Sequence, residues 1–134
     1  MKTVFALIVL ALATPAFSAE SDTEGAPNAA GEKLINYMRD LTRAKAIGEK
    51  CSSDKLDYVD IVDALFGANS AILSKIDTGE DIKFAQRISA EADVARHDVE
   101  NNYSCKGNWE GEIARIRHAR LDKPQDIDIR HTRK

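Results

Sequence analysis

Residues 58–76 read YVDIVDALFGANSAILSKI, the most apolar run outside the amino-terminal segment. At 100° per residue, Tyr58, Ile61, Val62, Leu65, Phe66, Ile72, Leu73 and Ile76 share one broad face. The face is wider than a coiled-coil seam and predicts a helix that touches several neighbours. Asp57, Asp60 and Asp63 fall at its edge or opposite it. Asn69 falls near the middle of the apolar face, where a buried amide must find hydrogen bonds or cost about 1–3 kcal/mol. Three readings stay open: a hydrogen-bonded Asn that fixes register, a local distortion at Gly67-Ala68-Asn69, or a ligand contact.

Outward from this helix, the pattern predicts an all-α fold, a small up-down bundle of about four helices. A first helix is expected over residues 30–50. Leu34, Tyr37, Met38, Leu41, Ala44, Gly48 and Cys51 share one of its faces, and Arg39, Arg43 and Lys50 lie on the other. Such a basic stripe is most often a solvated face; as a functional surface it would meet an acidic partner. After the turn Cys51-Ser52-Ser53-Asp54, Asp54 is placed to cap the second helix, whose first turn is acidic, as the helix dipole favours. Thr78 and Asp81 carry the pattern of a shortened capping box. They open a third helix over residues 80–103, with Ala85, Ile88, Ala92, Ala95, Val99 and Tyr103 as its stripe. Gly107 suits the end of this unit. A fourth helix begins after Asn108, turns Trp109, Ile113 and Ile116 inward, and stops before Pro124.

The amino terminus, MKTVFALIVLALATPAFSAE, has a lysine, an apolar centre, a Thr-Pro break and small residues. That is the pattern of a secretory signal peptide, and Ala16-Phe17-Ser18 predicts cleavage after Ser18 or Ala19. The expected organisation is a signal peptide over residues 1–18, a flexible leader over 19–29, a helical domain over 30–123 and a basic flexible tail over 124–134. The expected location is periplasmic or secreted, with no membrane insertion.

Two cysteines, Cys51 and Cys105, survive such export, and an even count in an oxidising compartment predicts a disulfide. Short connections make neighbouring helices antiparallel. The carboxyl ends of the first and third helices then share one pole, where both cysteines sit. Helix order and cysteine count thus agree.

The formal net charge of −3 argues for neither nucleic acid nor an anionic membrane as partner. Acids outnumber bases over residues 49–100, and the balance reverses over 112–134. No nucleophile elbow, Walker loop, dinucleotide fingerprint, zinc-protease motif or haem-attachment motif is present. His97 and His118 are placed opposite the apolar stripes of their helices. Asp93 and His97 form an i,i+4 pair, two ligands where a dedicated metal site needs more. Asn102-Tyr103-Ser104 matches the short N-glycosylation pattern. No enzyme, cofactor or metal site is expected.

A small exported helical protein with one disulfide resembles, in plan, periplasmic acid-stress chaperones and the immunity proteins that block toxins. No motif carries a residue over from either group. The expected function is a protein-binding module of the inhibitor or immunity type, with Arg39, Arg43, Lys50 and Trp109 as candidate partner-binding residues. Trp109 has a competing reading as a core anchor over the cystine. The alternatives are an acid-stress chaperone, or a carrier of a small ligand or metal in a cavity beneath the alanine-rich face of the third helix.

Overall fold

A computed structural model describes residues 29–125 of the chain. Among these residues four α-helices run α1 (Ala29–Cys51), α2 (Val59–Ser74), α3 (Gly79–Asn102) and α4 (Trp109–Arg120). A single 3-10 turn, Lys55–Asp57, precedes α2. No strand occurs among the described residues. The expected signal peptide, most of the leader and the tail beyond Gln125 lie outside the described residues.

The organising element is α1, not the more apolar α2. It packs against each of the other three helices. Its residues Leu34, Ile35, Met38, Leu41, Ala44 and Ile47 are all buried. These positions spread around much of the helix, so α1 is apolar on more than one face and serves as the axle of the bundle. The expected stripe is part of that surface, and Ile35 and Ile47 extend it. Around α1 the main core gathers Tyr58 at the N-cap of α2, Ile61, Leu65 and Ile72 from α2, Phe84 and Ile88 from α3, and Ile116 from α4. A smaller cluster of Ala46, Ile47, Val99 and Ile113 lies at one pole, with Cys51, Tyr103 and Trp109 packed on it.

The local signals account for the helix ends. Asp54 accepts from the Leu56 N–H, but the element it caps is the 3-10 turn; α2 starts later, at Val59. Thr78 accepts from the Asp81 N–H while the Asp81 carboxylate accepts from the Thr78 N–H, a full capping box for α3. The Asn108 side chain accepts from the Gly111 N–H at 3.0 Å and opens α4. Tyr58 lies flat on Gly48. A Cβ at position 48 would meet the Tyr58 ring at 2.5 Å, so only glycine admits this approach of α2 to α1.

Cys51 and Cys105 form a disulfide with Cα atoms 5.4 Å apart, joining the end of α1 to the segment after α3. That separation lies within the usual span of such bonds. The Lys50 ammonium fastens the same pole, donating to the main-chain carbonyls of Val99, Glu100 and Tyr103 at 3.0, 3.0 and 2.8 Å. These carbonyls lie at the carboxyl end of α3, where a cation is favoured.

Short on apolar residues, α4 is held largely by arginines. Arg117 donates to the Asp60 carboxylate at 2.6 and 3.0 Å and to the Asp57 carbonyl at 2.9 Å. Arg120 donates to Asp40 at 2.9 Å, and Arg43 of α1 donates to Glu112 at 2.8 Å. The two planar donors of Arg117 hold its carboxylate partner in a fixed orientation. This partner holds the Asp60 carboxyl below its usual range.

Candidate docking site

Three helices arranged around α1 leave a groove between α2 and α3. Met38 and Thr42 of α1 form its floor. One wall is Leu65, Asn69, Ile72 and Leu73 of α2; the other is Ala85, Ile88, Ser89, Ala92 and Asp93 of α3. Its volume is about 290 Å³. The small side chains of α3 keep the groove open, because alanine and serine do not reach across to α2.

The apolar arc of α2 is broader than the surface its neighbours cover. Tyr58, Ile61, Leu65 and Ile72 are buried, whereas Phe66 is 73% exposed and Leu73 65% exposed. Val59, Phe66 and Leu73 recur at intervals of seven and therefore line up along the helix. Val62, half-buried, and Asn69, exposed, lie between this line and the core. Asn69 is thus on the groove wall and solvated. The expectation that it is buried is corrected: it stands where the covered half of the apolar face gives way to the open half. Among the described residues no helix continues over that open half.

Charge around the groove is uneven. Between Val59 and Ser74, α2 has Asp60 and Asp63 and no lysine or arginine. Arg117 occupies Asp60, while Asp63, one turn from both Val59 and Phe66, is exposed. On the α3 side Arg96 is shared between Asp93 at 3.0 Å and Glu100 at 3.1 Å. Of these charged residues only Asp93 lines the groove itself; Asp63 flanks the Phe66 line, and Glu100 follows Asp93 along α3.

The candidate residues read from sequence lie elsewhere. Arg43 is engaged by Glu112 at 2.8 Å and Asp98 at 3.3 Å, and its guanidinium stands 5.5 Å from the centre of the Tyr103 ring. Those carboxylates raise the Arg43 pKa, chiefly through the Glu112 hydrogen bond. Arg39 lies 3.8 Å from Glu91 and is half solvated. Lys50 is spent on the three carbonyls of α3. Trp109 is half-buried and packs, with Cys51 and Tyr103, on the small apolar cluster at the disulfide pole. Arg39 and Arg43 face carboxylates of this chain, and neither lines the groove.

His97 and His118 are both exposed. Asp93 pairs with Arg96 rather than with His97, and the His118 Nδ1 lies 3.7 Å from Asp122. Among the described residues no three His, Cys, Asp or Glu side chains gather closely enough to hold a metal ion. Nor is any described helix long and apolar enough to cross a membrane. Comparison with known proteins gives no matching family model, curated protein or solved structure.

Sequence reasoning passed over Phe66 and Leu73 because both sit on the face that predicted the core. The signal was present in the arc itself, which is wider than one seam, and in Asn69 at its middle.

Proposed function

We propose that this is an exported protein-binding module of the inhibitor or immunity type, whose contact surface is the groove and the exposed line of α2. The observation that carries the reading is the half-covered apolar face: Phe66 and Leu73 are solvated beside an open groove on a rigid, disulfide-tied frame. Large apolar side chains grouped at the lip of a groove are how partner helices are received. The partner is another protein of the same compartment. Arg39, Arg43, Lys50 and Trp109 support the frame on this reading.

The test is capture from the native extract with the wild-type protein and with Phe66→Asp, followed by identification of the bound protein. A defined partner retained by the wild type and lost with Phe66→Asp supports the reading. Equal capture by both removes this face from the function.

A second reading, an acid-responsive chaperone, draws on the arginine–carboxylate pairs that hold α4. Those pairs persist until carboxylates protonate, and Asp60 resists protonation through its Arg117 partner. Opening on this basis belongs to strongly acidic conditions.

A further inference from the structure

Resting on the docking reading above, we infer that the groove receives a basic amphipathic helix: a segment with an apolar stripe flanked by lysine or arginine. The apolar part follows from geometry. The line Val59, Phe66, Leu73 offers contacts at helical spacing, and the groove beside it is floored by Met38 and walled by Ile72 and Ile88. A helix laid there would close the gap between α2 and α3 as a further member of the bundle, with its stripe directed at Met38.

The charge of the occupant follows from the carboxylates beside the groove and the Phe66 line. Asp63 stands beside Phe66 without an ion pair among the described residues, and Asp93 and Glu100 share the single cation of Arg96. An acidic helix would set like charges against like at close range. A second copy presenting this same face carries the same carboxylates and has no cation within α2, so it offers less charge complementarity than a basic segment. Asp63 lies near the start of α2, while Lys75 follows its last turn. The basic flank of the occupant is therefore directed toward the Asp63 end.

The probe is a pair of designed helical peptides of about 18 residues, both with leucines at i, i+3, i+7 and i+10, one flanked by lysines and the other by glutamates. Binding is read by fluorescence anisotropy at low and physiological salt. The lysine peptide is expected to bind at least about tenfold tighter than the glutamate peptide. Phe66→Asp separates docking from simple attraction of opposite charges. It adds a negative charge, so adsorption would strengthen, whereas seating in the groove falls by about tenfold. Asp63→Asn should weaken the lysine peptide by a few-fold and reduce its salt dependence.

Equal binding of the two peptides, or tighter binding to Phe66→Asp, overturns the inference. So does sedimentation showing a Phe66-dependent dimer that the lysine peptide does not displace, which would make a second copy the occupant. If the lysine peptide fails while Phe66-dependent capture of a native partner persists, the docking reading stands and the charge inference alone falls.

Discussion

The Lys50 ammonium donates to the Tyr103 carbonyl at 2.8 Å, and the next residue of the chain, Cys51, is joined to Cys105 by the disulfide. Two adjacent residues of α1 thus fasten the same pole, one covalently and one by charge. The disulfide closes a long loop, so on the chain-entropy model its loss costs about 4 kcal/mol. The main core around Leu41 and Ile61 is distant from it and stays intact. Reduction is expected to lower the melting temperature clearly while helical content at low temperature persists. Circular dichroism with and without reductant checks this, and loss of the helical signal at low temperature would show that the bond is needed for folding itself.

Gly48 makes a sharper test of how α2 is seated. Replacing a mid-helix glycine with alanine normally stabilises by about 1 kcal/mol. Here the new methyl would meet the buried Tyr58 ring, with overpacking that costs about 1–3 kcal/mol. Gly48→Ala is expected to lower stability in urea unfolding. A gain in stability would mean that Tyr58 moves aside freely.

Asp60 sets the acid limit of the α2–α4 contact. The Arg117 hydrogen bond is the largest cause of its lowered pKa. A carboxyl lowered in the folded state contributes stability that is present above its unfolded value, near 3.8, and is lost as pH falls through the lower folded value. Asp60→Asn is expected to cost about 1 kcal/mol or less at neutral pH, because the pair is partly solvated. The difference from wild type should shrink below about pH 4. A difference that grows on acidification would contradict the assignment.

Asn69→Leu gives the corrected position its own check. An exposed amide on the groove wall has no buried hydrogen bond to lose. Unfolding free energy is expected to change by no more than about 0.5 kcal/mol. A loss of several times that size would restore the buried reading.

Much of the fold was legible because each local signal had one structural answer. The Thr78–Asp81 box, the Asn108 cap and the Cys51–Cys105 pair all fixed ends and poles. Apolar periodicity, by contrast, reports what a helix has to cover and not what covers it. It ranked α2 above α1, although α1 is the axle, because the buried positions of α1 are spread around the helix and dilute any single stripe. It also placed Phe66 with Ile61, and only the way α2 seats on α1 decides that Ile61 is covered and Phe66 is not. The ion pairs of the α1 basic residues were hidden for a related reason. The Arg43 partners Asp98 and Glu112 are far away in sequence and come into reach only through the packing of α3 and α4 on α1.

The central claim is that the line through Phe66 and Leu73 is a contact surface. Site-specific photo-crosslinking in the native compartment tests it most directly, with the reactive group placed in turn at Phe66, at Leu73 and at the exposed Ala114 on α4. The account predicts one defined protein adduct from positions 66 and 73 and none from 114. Adducts that are absent from 66 and 73, or the same from all three positions, would contradict it.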